Sequence, residues 1–198
     1  MNAATDPRPL LRRTADQFTA LVATVEPGRL GDPTPCDAFD VRALIGHVLS
    51  GTHAYAQLAE GASSDPTIED FSEVPDGDWT AAASAAAERL VTAGQDLDDD
   101  ALERMVDPGF AAMPLHGALS AVVMEIAAHT WDLREALGAK PELDPETAEF
   151  SLAFAHRALR PERRGGPVPF GPVRQAPEGA DAYDELAAWL GREVRPTA

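Results

Sequence analysis

The chain has 198 residues, 44% of them hydrophobic and 25% charged, with a formal net charge of -17 and a pI near 4.5. That length suits one domain with a sizeable core, and the composition is ordinary globular rather than that of a disordered or membrane-spanning chain. The acidity excludes a nucleic-acid partner that needs a basic stripe, the lone Cys36 excludes an internal disulfide, and no apolar run approaches the roughly 18 residues of a membrane span.

The opening residues MNAATDPRPLLRR lack the zones of a signal peptide, so a cytoplasmic location is expected, with no membrane partner. A first helix is predicted over 9–25, where Leu10, Leu11, Ala15, Phe18, Leu21, Val22 and Val25 recur at three- and four-residue spacing. Pro27-Gly28 ends it, and Asp40 is placed to cap a second helix over 41–60, closed by Gly61. Asp78 is placed to cap a third, alanine-rich helix to about residue 97. The fourth spans 115–137 and stops at Gly138, with Lys140 and Pro141 beyond. Asp144-Pro145-Glu146 opens a fifth helix that fades near Leu159. Residues 160–180 are rich in Pro and Gly and read as a loop over the bundle, before a short amphipathic segment over 183–190. With no alternating run long enough for a sheet, the prediction is all-α: a four-helix up-down bundle with added C-terminal helical segments, one domain over 1–198.

Ionisable residues interrupt two faces that should be core. On the fourth helix Leu119, Val122, Ile126, Leu133 and Ala136 trace one stripe with His129 in its middle. Glu125 precedes His129 by four residues, so the two project side by side. On the second helix His47 adjoins the stripe of Val41, Leu44, Val48, Gly51 and Tyr55. A carboxylate among aliphatic side chains needs a compensating cation or hydrogen-bonding partners. A divalent metal held by His47, Glu125 and His129 meets that need and leaves a coordination position open. Glu-x-x-x-His also recurs by chance, and a histidine on an apolar face is usually a satisfied core residue. A structural homodimer, its buried polar triad satisfied by hydrogen bonds, therefore stands beside the metal reading.

Three stretches carry a family resemblance. They are Thr34-Pro35-Cys36 leading into Val41-Arg42-x-Leu44-x-x-His47, then Glu125-x-x-x-His129-x-Trp131-Asp132-Leu133, then Phe170-Gly171-Pro172 with Leu190-Gly191-Arg192. In these the chain resembles the DinB-like bundle proteins, in the branch of the mycothiol-dependent maleylpyruvate isomerase N-terminal domain. The resemblance implies a DinB-like bundle whose ion, commonly zinc, sits on His47, Glu125 and His129, with nickel or manganese as alternatives. Phe39 stands where relatives usually have tryptophan. Arg134-Glu135-Ala136 replaces the usual Ala-Arg-Ala, moving the basic residue by one helical position, about 100 degrees.

The resemblance further implies a metal-dependent transferase or isomerase that uses a low-molecular-weight thiol, mycothiol, on a small electrophilic substrate. The chain ends where the isomerase continues into a second domain, so maleylpyruvate isomerisation itself is not expected. The alternative is a helical-bundle protein that binds a divalent metal or small ligand without turnover. Asp132, near His129 on the same helix, is the candidate catalytic residue, either orienting a histidine or handling a displaced proton. Cys36 reads as packing rather than reactive thiol. His53 points to another face, and His116 and His156 have no acidic or histidine companion in sequence. Arg160, Arg163 and Arg164 read as a solvated cluster, and Trp79, Trp131 and Trp189 as core or rim anchors.

Overall fold

The computed structural model describes residues 6–64, 66–139, 141–164 and 170–195, without the side chain of Arg163. The helices among them are α1 (Arg8–Val22), α2 (Val41–Glu60), α3 (Trp79–Gln95), α4 (Asp99–Leu102), α5 (Leu115–Leu137), α6 (Pro145–Ala158) and α7 (Ala182–Trp189). A short antiparallel ribbon pairs β1 (Met105–Val106) with β2 (Met113–Pro114). The four long helices α1, α2, α3 and α5 form the bundle: α1 packs on α3 and α5, and so does α2. Helices α6 and α7 pack on α5 and on each other.

Why α5 sits at the centre follows from its burial. One face of α5, with Leu119, Val122, Val123, Ile126 and Leu133, joins the main core, to which α1 brings Leu11 and Phe18 and α2 brings Leu44 and Ile45. The opposite face, with Met124, Ala127, Ala128 and Trp131, joins a second cluster with Tyr183, Leu186 and Leu190. A helix apolar on all sides must be covered on all sides, and the C-terminal segment supplies that cover. Trp131 donates its indole N–H to Asp184 at 2.7 Å, and the Arg134 guanidinium meets the same carboxylate at 2.9 Å, pinning α7 to α5.

The helix ends separate local chemistry from long-range packing. Asp40 has extended backbone and accepts from the Ala43 amide at 2.8 Å, as its position predicts. Gly138 takes the left-handed conformation, φ 60°, and ends α5. Asp78 does not cap: its own backbone is already helical, which turns its carboxylate away from the amides it would satisfy. Asp144 likewise accepts from the Thr147 hydroxyl at 2.8 Å rather than from a backbone amide. Helix α1 stops at Val22, short of residue 25, where the Thr24 hydroxyl takes the Leu21 carbonyl at 2.7 Å. Helix α3 stops at Gln95 because Asp98 starts the unforeseen α4, accepting from the Ala101 amide at 2.7 Å.

The ribbon was also unforeseen, since two-residue strands carry no alternation to read. Arg104, beside it, donates to the Leu58 and Ala62 carbonyls at the end of α2, at 2.7 and 2.9 Å. Of the predicted loop over 160–180, residues 161–163 form a 3-10 turn and 165–169 lie outside the described residues, as does Lys140. Among the described residues no helix is long and apolar enough to cross a membrane.

Candidate metal centre

Helices α2 and α5 run antiparallel where they touch. Gly51 of α2 faces Glu125 of α5, and one turn back His47 meets both Glu125 and His129. The His47 Nε2 lies 3.2 Å from Glu125 Oε1. The two imidazoles meet edge to face, centroids 5.2 Å apart. One ligand atom from each of the three residues lies within 4.8 Å of the others. Exposure grades across the group: the His129 side chain is 8% exposed, Glu125 25% and His47 40%. The group is therefore closed on the α5 side and open at His47.

Small features of sequence make this convergence fit. A Cβ at Gly51 would lie 3.0 Å from Glu125 Oε1, so the bare backbone makes a cradle for the carboxylate. Phe39, from the turn before α2, stacks on His47 at 4.7 Å and 24° and turns its edge to His129 at 6.3 Å. Phe39 thus gives both imidazoles an aromatic wall that carries no hydrogen-bonding group.

Asp132 stands behind His129. Its Oδ2 lies 2.9 Å from His129 Nδ1, and because an ionised carboxylate only accepts, Nδ1 carries the hydrogen, which in a neutral imidazole leaves the lone pair on Nε2. The side chain of Asp132 is 0% exposed. Burial pushes its carboxyl pKa up, but the hydrogen bond from His129 and the charge and hydrogen bonds of Arg192 outweigh that and hold it below the usual carboxylate range. Arg192 donates from Nη2 to Oδ2 at 2.9 Å and from Nε to Oδ1 at 3.2 Å.

Over residues 11–134 the chain matches the family of the mycothiol maleylpyruvate isomerase N-terminal domain. The chain belongs to that family. Uncharacterized proteins from two strains of Mycobacterium tuberculosis are 33% identical to it over 193 residues, covering 96% of this chain and 100% of theirs. The fold is similar to the crystal structure of the mycothiol-dependent maleylpyruvate isomerase, with a TM-score of 0.58, 17% identity, and coverage of 74% of this chain and 66% of that one. A histidine-to-alanine mutant of that enzyme gives the same TM-score at 16% identity. His47, Glu125, His129 and Asp132 all fall inside the span that matches the family; Arg192 falls outside it.

Arg192 is the residue that sequence reasoning left without a role. It lies 60 positions from Asp132, and only its place in the Leu190-Gly191-Arg192 stretch marked it. Cys36 is a second surprise, because its Sγ lies with donor atoms of His129 and Asp132 in a group within 4.8 Å. Burial pushes the Cys36 thiol pKa up, against the charge of Arg192, which favours the protonated thiol over a thiolate beside this group. Thr34 fixes this turn: its hydroxyl lies 2.7 Å from the Phe39 carbonyl and 3.2 Å from the Cys36 amide.

The remaining ionisable residues have other partners. His53 Nδ1 lies 3.1 Å from Glu69 and 3.0 Å from Arg89. His116 is 4.0 Å from Glu103, an acid that only the fold supplies, and His156 packs edge-on against Trp189 at 4.2 Å. Arg134 is occupied by Asp184 and Asp181. Arg164 is not simply solvated: it donates to the Leu159 and Gly171 carbonyls and lies over the Trp189 ring. A cavity of about 220 Å³, lined by Arg134, Glu142, Asp181 and Tyr183 among others, shares no residue with the metal-type group.

Proposed function

We propose that the chain holds one divalent metal ion, zinc by preference, on His47, Glu125 and His129, and uses it with a low-molecular-weight thiol of the mycothiol type. The reaction class is transfer of the thiol to, or thiol-assisted isomerisation of, a small electrophile. The observation that carries this is the convergence of two imidazoles and a carboxylate from two antiparallel helices within 4.8 Å. The donor chemistry suits zinc: nitrogen and oxygen ligands, three from protein, one position left over. The Gly51 cradle and the Asp132 contact on His129 Nδ1 also support it, since a ligating histidine usually donates its other N–H to a carboxylate. Mycothiol enters from the names of the family and of the structures the fold matches.

When bound, such an ion acts as a Lewis acid and favours loss of a proton from a thiol or water beside it. The residues do the rest. Phe39 and the exposed edge of His47 border the open side and offer an incoming molecule an apolar wall. Asp132 orients His129; with both oxygens occupied and no exposure, it is a positioning group rather than a proton carrier. The bundle core behind His129 keeps water from that side. A reducing cytoplasm fits a thiol co-substrate.

The test is elemental analysis of tag-free protein beside a His47→Ala/His129→Ala variant that keeps its helical circular dichroism. About one metal per wild-type chain and none in the variant is expected. No metal in either, after incubation with zinc, nickel or manganese, overturns the reading. Thiol-dependent consumption of an electrophile, abolished by His129→Ala, then distinguishes an enzyme from a protein that binds metal without turnover.

A further inference from the structure

We infer that the C-terminal segment is a working part of the metal centre: Arg192, acting through Asp132, sets the orientation in which His129 presents Nε2 to the ion. This role rests on the metal reading above. Arg192 is a positioning residue, since it touches Asp132 and not the proposed ligands.

The geometry is that of a two-pronged clamp. Nε and Nη2 of Arg192 take the two different oxygens of Asp132, and Oδ2 also receives His129 Nδ1. A carboxylate gripped on both oxygens cannot rotate, so the plane of its contact with His129 is fixed. With Arg192 10% exposed and Asp132 0%, the pair is buried. Buried ion pairs add little net stability, because desolvation offsets their attraction, so packing of the tail is a poor reason to place one here. Orienting a ligand is a better one.

The chain around Arg192 is built to deliver it. Leu190 is buried in the second core cluster, and the Arg192 amide donates to the Ala187 carbonyl at 2.9 Å. Gly191 between them has φ 94°, and a Cβ there would lie 2.8 Å from Gly171 Cα. Only glycine gives both that conformation and that approach. Arg174 donates to the Gly191 carbonyl at 2.9 Å, closing the turn.

The experiment uses the full chain as wild type, Arg192→Met, Asp132→Asn and the double variant. Zinc affinity is measured by competition with a chromophoric chelator, and the visible spectrum is recorded with cobalt in place of zinc. Arg192→Met should weaken zinc binding about 10-fold or more and shift the cobalt bands. The double variant should bind no more weakly than Asp132→Asn alone, because the two residues form one path. Wild-type affinity and spectrum in Arg192→Met overturn the inference, as do losses that multiply in the double variant. If Arg192→Met does not fold, Arg192→Lys, which keeps the charge but not the fork, runs the same cycle with the same deciding outcomes. No metal in wild type refutes the metal reading and this role together; metal in wild type with Arg192→Met unaffected refutes this role alone.

Discussion

Gly51→Ala should make the metal-free protein more stable and the zinc-loaded protein less so. Alanine is about 0.8–1.0 kcal/mol better than glycine inside a helix, and Gly51 lies within α2. At roughly 2–4 °C per kcal/mol for a protein of this size, the metal-free midpoint should rise by about 2–4 °C. The new Cβ lands 3.0 Å from Glu125 Oε1, tight by a few tenths of an ångström. What it meets is the far end of a flexible side chain, so the carboxylate yields and the helices stay in place. The yielding moves Glu125 away from His47 and His129. A 10-fold loss of zinc affinity removes about 1.4 kcal/mol of ligand stabilisation at fixed excess zinc, enough to outweigh the helix gain. Thermal melts followed by circular dichroism, with chelator and with zinc, read both effects. A lower midpoint in chelator would mean that the helices cannot accept the Cβ. An unchanged zinc-induced shift would mean that the cradle does not hold Glu125 for metal.

Gly94→Ala should behave oppositely, because its Cβ would fall 2.4 Å from Cδ1 of the buried Leu11 where α3 packs on α1. Overpacking of about 1–3 kcal/mol should exceed the helix gain, so the urea midpoint falls; a rise would show that the α1/α3 contact is loose. Asp6 accepts hydrogen bonds from the Arg8 side chain and amide, which hold its carboxyl below the usual aspartate range. A carboxyl depressed in the folded state stabilises above its unfolded pKa of about 3.9 and loses that contribution as pH falls through the lower folded value. The advantage of wild type over Asp6→Asn in urea should therefore be constant from neutrality to about pH 5 and shrink below about pH 4; a difference independent of pH would refute the assignment.

What could be read in advance was chemistry within a few residues along one helix. Glu125 and His129 share a face by helical period, and Asp40 and Gly138 act on amides and carbonyls next to them. His47 was legible because it adjoins an apolar stripe. The pairing of His47 with Glu125 depends on α2 and α5 meeting antiparallel, which the stripes allow but do not specify. Arg192, Cys36 and Glu103 gain their partners only through the tertiary path of the chain, and their sequence neighbours give no sign of it. Asp78 failed as a cap for a related reason: the residue type was right, but its backbone conformation was set by what precedes α3.

The division between the family's span and the rest of the chain has a mechanical meaning. The proposed ligands His47, Glu125 and His129 and the buried Asp132 all lie within residues 11–134. The surroundings that make Asp132 tolerable do not: Arg192 neutralises it, and α7, pinned by Asp184 to Trp131 and Arg134, covers the adjacent face of α5. A bundle ending at residue 134 would leave that carboxylate with His129 as its sole hydrogen-bond partner among those described, and would expose the Trp131 face of α5. Some C-terminal structure must therefore accompany this bundle. In this chain one short helix and a glycine turn meet both, so a change in how the tail docks reaches the His129 ring through two hydrogen-bonded contacts.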